Sequence, residues 1–401
     1  LPADAVHCVG HWMNMALLCA AAAMAARIPG PFGVLWAAAA LVEPILRVQG
    51  VSLGQEPFLV LCTMGVLYGA MREKTSMVMG FLIAGMLVNP LMVIPAFAMV
   101  LYWSADSVCR RKKEWGRICG AGLITLFGIA LLLMDSDGAG DGKTMSLLLQ
   151  RIREHFCNYL PLPGAMTVLA LAGTVILWVR RRCWSRRMRG VVLCFLIVCG
   201  FWAAYFLYSV PLPRYSAMIV LPLFCWCGLL VPWTRRGWML TAVGVAGVAG
   251  VLLHSGDCYP QLPGQWQHSG EFQERSLEFL RQMKMDQELC RYLEATAQNR
   301  PVVAKWPYVQ MLAEPRYGYV QKALPDVRCA GIVPVELEKV KKYPGKRLQN
   351  PENAVYIFVC NTFEFFAEFG PPLMPPPGAR FLWAGQGRSG KPSPFFTVYE
   401  R

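Results

Sequence analysis

Charge is what this sequence has least of: only 16% of its 401 residues are Asp, Glu, Lys or Arg. A soluble domain carries about a quarter, so an ordinary soluble globule does not describe the whole chain. Compact catalytic and cofactor signatures are also lacking. No Walker loop, GxGxxG, HExxH, CxxC or GxSxG stands where a supporting strand, turn and helix would place it. Gly138–Gly142 is Gly/Asp-rich but precedes no helix start of the phosphate-binding kind, and reads as a flexible loop. His7 and His11 lie one helical turn apart without a third ligand nearby, so a structural role outweighs metal binding.

In place of charge there is length of apolar run. The hydrophobic set makes up 55% of the chain and mean hydropathy is +0.37. Runs near 11–26, 33–46, 56–71, 76–88, 90–103, 118–134, 163–179, 190–209, 215–233 and 238–253 give about nine or ten candidate spans, two of them short, against roughly 20 residues for a full crossing. Residues 254–401 read instead as a mixed, soluble sequence. The fold expected is an α-helical polytopic membrane protein, with a transmembrane domain over 1–253 and a soluble α/β domain over 254–401.

The net charge of +14 divides unevenly between these parts. The tail holds 18 Lys+Arg against 15 Asp+Glu, and residues 1–253 hold 21 against 10. The excess sits in short loops: Arg110, Arg111, Lys112, Lys113 and Arg117; then Arg180, Arg181, Arg182, Arg186, Arg187 and Arg189; then Arg235 and Arg236. Counting spans puts all three on one side together with Arg72 and Lys74, and the positive-inside rule makes that side cytoplasmic. The tail then lies on the opposite, non-cytoplasmic side. A nucleic-acid partner would need a basic folded surface with a supporting motif, and neither is present.

Of the 15 cysteines, 11 lie in 1–253, many inside apolar runs where a thiol packs as a small hydrophobe. If the tail is exported, Cys258, Cys290, Cys329 and Cys360 allow one or two disulfides of undetermined pairing. The tail also predicts an amphipathic helix over Glu271–Ala297 and a short helix over Tyr308–Ala313. Strands are predicted over Pro301–Trp306, Val355–Val359 and Phe395–Tyr399, and a helix over Thr362–Phe369, together suggesting a small parallel-type sheet.

Chemistry is signalled by polar groups at the outer membrane boundary. The run 33–46 breaks at Glu43-Pro44, and a polar turn leads to Glu56-Pro57. A carboxylate where helices meet the outer surface is costly unless paired or wetted, which makes Glu56 a site candidate. An exposed first-turn carboxylate favoured by the helix dipole explains Glu56 equally well. Arg47, Arg151, Arg153 and Arg214 are outward-side cations whose forked donors suit phosphate; each alone reads as a lipid-headgroup anchor, and the set as contacts for a phosphorylated ligand on the outer side.

These landmarks carry a resemblance. His11-Trp-Met-Asn-Met-Ala-Leu-Leu, then Ala-Arg27-Ile-Pro-Gly-Pro-Phe-Gly33, the helix ending at Pro44, the polar turn and Glu56 are similar to the early helices of polyprenyl-phosphate-sugar glycosyltransferases. These are the GT-C-fold enzymes grouped with protein O-mannosyltransferases and the aminoarabinose transferase of lipid A. Gly80 to Pro90 resembles their small-residue helix pair, with Asn89 where the family usually has Lys or Arg. Pro211-Leu-Pro-Arg214-Tyr215 looks like their late P-R-Y turn. The resemblance implies a GT-C-like helix bundle that moves a sugar from a lipid-linked polyprenyl-phosphate donor to a glycan, lipid or protein acceptor on the outer face. A carboxylate would act as base on the acceptor hydroxyl while cations hold the departing phosphate. Glu56 would be the second outer-loop acid; Arg214 and Tyr215, with Arg47, Arg151 and Arg153, would contact the donor.

The family's principal acid belongs in a first outer loop, and Asp4 does not match it. A segment upstream of Leu1 is therefore expected. Without it, the alternative is a non-catalytic membrane subunit binding a polyprenyl-linked glycan or a partner protein. A transporter is a further alternative, with Glu43 as the one mid-membrane charge. Sugar, acceptor and any divalent metal requirement are open at this stage.

Overall fold

The computed structural model describes residues 3–51, 54–110, 114–135, 161–180, 184–207, 216–231, 234–255, 278–297, 299–304, 308–329, 346–347, 357–361, 378, 380–386 and 392–400. Two compact units are present, one built essentially of 7–262 and the other of 278–401.

The first unit is helical. Its helices are α1 (Ala3–Ala25), α2 (Gly33–Val42), α3 (Pro44–Val51), α4 (Glu56–Met71), α5 (Thr75–Val88), α6 (Val93–Arg110), α7 (Trp115–Asp135), α8 (Pro161–Arg180), α9 (Arg186–Leu207), α10 (Ala217–Leu230) and α11 (Arg235–Ser255). The stretches Pro90–Arg110, Leu162–Val179 and Arg186–Phe206 are long and apolar enough to cross a membrane; several others are apolar helices of 10–17 residues. α10 is apolar all round and buried along nearly its whole length. It packs against α2, α4, α8 and α9, the environment that a helix without a polar face requires. At the periphery, Leu123, Leu126, Leu169, Val175, Leu240 and Val243 are exposed on α7, α8 and α11, an apolar surface that hydrocarbon, not water, would cover. Where helices meet, polar atoms are satisfied sideways. Trp202 Nε1 donates to Thr167 Oγ1 at 3.1 Å and Trp226 Nε1 to Thr174 Oγ1 at 2.9 Å, pinning α9 and α10 to α8 through hydrogen bonds that hydrocarbon cannot replace.

Side-chain contacts gather the short turns at one end of this bundle. Glu73, in the turn after α4, accepts from Arg110 Nη1 and Arg189 Nη1, each at 2.9 Å. Arg110 also reaches Asp106 at 3.2 Å, whose other oxygen accepts from Trp184 Nε1 at 2.8 Å. Arg187 Nε donates to the Leu229 carbonyl, and a Cβ on Gly228 would lie 2.9 Å from Pro29. The helix ends at Pro29, Glu73, Arg110, Trp184 and Leu229 therefore share an end, as counting spans between the basic loops predicts.

Glu73 itself sits in the left-handed region at φ 57°. The bonds Lys74 N–H to Gly69 O (2.9 Å) and Glu73 N–H to Ala70 O (3.1 Å) form the Schellman closure of α4, in which glycine is the usual residue. A glutamate tolerates that conformation here because two arginines hold its carboxylate. Those donors, Arg189 first and Arg110 second, also lower its pKa from 4.5 to about 2.

The second unit is α/β. Helices α12 (Glu278–Thr296) and α13 (Tyr308–Ala313) pack with six strands: β1 (Val302–Ala304), β2 (Val327–Cys329), β3 (Lys346–Arg347), β4 (Ile357–Asn361), β5 (Arg380–Gln386) and β6 (Pro392–Glu400). The sheet order is β3-β2-β1-β4-β6-β5. β3, β2, β1 and β4 pair in parallel, whereas β6 pairs antiparallel with both β4 and β5. The expected parallel-type sheet is thus mixed: β5 and β6 follow each other closely and return as a hairpin-like pair, which parallel pairing does not allow over so short a connection. α13 stands where predicted, and the helix expected over Thr362–Phe369 falls outside the described residues. Cys290 and Cys329 are buried, and Cys258 lies outside the described residues.

Candidate functional site

At the end of α4 away from Glu73, two helix starts carry carboxylates. Glu43 ends α2 and caps α3: its Oε2 accepts from Ile45 N–H at 2.8 Å and Leu46 N–H at 3.1 Å. Pro44 occupies the first position of α3, where no N–H is needed. The apolar run 33–46 thus divides into two helices because a buried carboxylate satisfies the second one's free donors. Glu43 is fully buried, and its Oε1 has no hydrogen-bond partner among the described residues. Arg47, one turn along α3, donates its backbone N–H to the Glu43 carbonyl at 3.1 Å, and its guanidinium attracts the Glu43 carboxylate.

The far end of α3 closes over a second polar group. Gly50 meets Met15 and Leu18 of α1, and Gln49 is buried at 2% exposure. After the turn, Glu56 opens α4 at 3% exposure. The exposed-carboxylate reading is therefore set aside: Glu56 is held inside, at a helix N-terminus whose dipole favours its negative charge. Gly54 explains how it is held. A Cβ at that position would overlap Glu56 Oε2 and lie 3.4 Å from Gln49 Oε1, so the carboxylate and the amide both face a turn that has room only for hydrogen. Gly54→Ala is expected to push the Glu56 carboxylate from its place. The protein should still purify as the same species, with a lowered melting midpoint, which a thermal-shift assay beside a size-exclusion profile would show.

Of the residues expected in the site, Glu56 opens α4 and Arg47 stands on α3, the helix before it. Arg151, Arg153, Arg214 and Tyr215 lie outside the described residues. Sequence reasoning missed two residues here. Gln49 and Asn14, the latter at 4% exposure beside Met15, are single amides inside apolar runs, and that interruption is the signal that would have found them. Glu43 was noticed as a helix break and a lone charge, not as the cap that makes the break. Asn89 Oδ1 accepts from Leu91 N–H at 2.8 Å. Asn89 thus starts the short turn at Pro90–Met92.

No family model matches the sequence, and no curated protein matches it. Among solved structures, the chain is similar to ArnT from Cupriavidus metallidurans, crystallised with undecaprenyl phosphate. The identity is 14%, the match covers 98% of this chain and 83% of that one, and the TM-score is 0.51. The fold is GT-C-like. The overlap runs through both units, so the polytopic bundle followed by an α/β unit is the architecture of an integral membrane protein of this class. The early-helix and small-residue landmarks in the sequence pointed to it from a few polar positions.

Proposed function

We propose that this chain is a membrane glycosyltransferase that takes a sugar from a polyprenyl-phosphate carrier and passes it to a hydroxyl acceptor on the non-cytoplasmic face. The observation that carries the reading is Glu56, a carboxylate buried at the α3–α4 turn of a GT-C-like bundle. The solved relative of that fold holds undecaprenyl phosphate.

The acceptor oxygen attacks the anomeric carbon, and the bond from that carbon to the phosphate oxygen breaks. The carrier phosphate leaves with the electron pair, and the acceptor proton passes to a carboxylate, the role given to Glu56. Negative charge grows on the departing phosphate, so cations stabilise the transition state more than the ground state. Arg47, on α3, and Arg151, Arg153, Arg214 and Tyr215 are assigned to that phosphate. The helix ends gathered around Glu73, Arg110, Arg189 and Leu229 border the basic loops and so face the cytoplasm, and the Glu56 end and the tail face outward. Glu43 supports this reading over a transporter, because its carboxylate is engaged in holding the α2–α3 break closed.

The test is native mass spectrometry of the full chain in nanodiscs with undecaprenyl phosphate. One retained carrier is expected, with retention falling about tenfold in Arg47→Gln through loss of a charge-assisted contact. Failure to retain the carrier sinks the proposal. Retention without sugar transfer, when the glycosylated carrier and candidate acceptors are supplied, favours the non-catalytic subunit instead.

A further inference from the structure

At the end of the bundle away from Glu56, one residue is held against its own backbone preference. Glu73 sits at φ 57°, a conformation that costs any residue with a Cβ and that glycine adopts freely. The position is occupied instead by a carboxylate that accepts from Arg110 Nη1 of α6 and Arg189 Nη1 of α9, each at 2.9 Å. The turn after α4 is thereby tied to the ends of two helices from distant parts of the chain.

The two carboxylates of this cluster stand in different media. The Asp106 side chain is 5% exposed and is held by Arg110 at 3.2 Å and by Trp184 Nε1 at 2.8 Å. Stripping partners from a buried charge is expensive, so that half of the cluster is fixed. The Glu73 side chain is 46% exposed, and ion pairs so placed are weak and are screened by salt. A strained backbone and two weak ion pairs are contributions of the same order, so the closed turn is held by a narrow margin. Arg189 is also incompletely satisfied as it stands: its Nε is buried and has no hydrogen-bond partner among the described residues. A cavity lined in part by Glu73, Lys74, Tyr102, Asp106, Arg117 and Arg189 borders the cluster.

We propose that Glu73 is an ion-sensitive latch that clasps the α4–α5 turn to the ends of α6 and α9. Closed, it holds the left-handed turn through Arg110 and Arg189. Open, its carboxylate is released to water and the residue leaves the left-handed region. Arg110 and Arg189 then stay with Asp106, which already stands 3.2 Å and 3.8 Å from them, so the change is local and reversible. Opening breaks one named bond, Lys74 N–H to Gly69 O at 2.9 Å, which forms only while the residue before Lys74 is left-handed. The inference is independent of Glu56 and of the transferase reading.

The experiment is hydrogen exchange at single-residue resolution on the full chain in phosphatidylcholine nanodiscs, with protection of the Lys74 amide as the reporter. Raising KCl from about 0.1 M to about 1 M shortens the screening length from about 10 Å to about 3 Å. Wild-type protection at Lys74 should fall by about threefold or more. Glu73→Gln keeps the size of the side chain and loses its charge. Its protection should lie about fivefold or more below wild type at the lower salt and should not respond to KCl. Glu73→Gly loses the charge and the strain together, so its turn should stay closed, with protection at least equal to wild type at both salts. Both substitutions change a half-exposed side chain, which leaves the core of the bundle intact. Wild-type protection that survives KCl, or a Glu73→Gln variant as protected as wild type, would overturn the latch. An equal response to KCl in wild type and Glu73→Gln would overturn it too, because salt would then act without the carboxylate.

Discussion

Glu56→Gln is expected to lower sugar transfer by two to four orders of magnitude, the range typical for losing a positioned general base, while carrier binding changes by no more than a few fold. The amide is nearly the same size as the carboxylate and keeps hydrogen-bonding atoms, so the packing of the α3–α4 turn against Gly54 and Gln49 survives. What disappears, on the proposed mechanism, is the ability to take the acceptor's proton as the bond to phosphate breaks. Measuring kcat on the glycosylated carrier at saturating acceptor isolates that loss, because binding cancels when both sites are full. If the amide variant keeps wild-type turnover, Glu56 is a buried helix-start carboxylate and nothing more. Glu43→Gln offers an informative contrast. Its Oε2 holds the start of α3, and an amide oxygen can accept the same two bonds. Glu43→Gln should therefore retain most of the activity, and Glu43→Ala should lose it by releasing the turn.

The bundle was legible in the sequence because hydrocarbon imposes a simple rule: apolar runs must be helices, and charges must sit at their ends. The run 56–71 coincides with α4 (Glu56–Met71) because Glu56-Pro57 and Arg72 bracket it. The run 33–46 was read as one span, since periodicity does not reveal that Glu43 can turn its carboxylate back onto the next helix. The tail was less legible. β2 and β3, of three and two residues, carry too little pattern to announce themselves. They exist because longer-range pairing, β2 with β1 and β3 with β2, completes their hydrogen bonds, and such context outweighs strand propensity. The site divides in the same way. Glu56 stood out as a carboxylate beside an apolar run. Gln49, Gly54 and Asn14 become meaningful only once α1, α3 and α4 are packed together. Glu73 is the plainest case of structure overriding local preference: its left-handed backbone depends on Arg110 and Arg189, which lie 37 and 116 residues away in the chain.

Replacing Asp286 by asparagine is expected to stabilise the α/β unit in a strongly pH-dependent way. Asp286 on α12 is 4% exposed and accepts from the Tyr308 hydroxyl at 2.9 Å. Burial drives its pKa from 3.8 up to about 7, against the smaller downward pull of the Tyr308 hydrogen bond. Cys290, Glu294, Tyr308 and Tyr319 belong to the same electrostatic group, and none brings a positive charge to it. Below about pH 4 the carboxyl is protonated in both the folded and the unfolded chain, so its ionisation costs nothing. Between about pH 4 and pH 7 the unfolded chain releases the proton while the folded one keeps it, and stability falls as pH rises. Above about pH 7 the penalty levels off at up to about 4 kcal/mol as an order of magnitude, at 1.36 kcal/mol per pKa unit. An asparagine in its place keeps an oxygen for Tyr308 and has no proton to lose, so the penalty never arises. In urea pulse proteolysis of the detergent-solubilised full chain, Asp286→Asn should therefore raise the cleavage midpoint of the tail clearly at pH 8 and hardly at all at pH 4. An equal shift at both pH values would mean that the gain comes from packing, and that Asp286 is ionised in the folded protein through a partner outside this group.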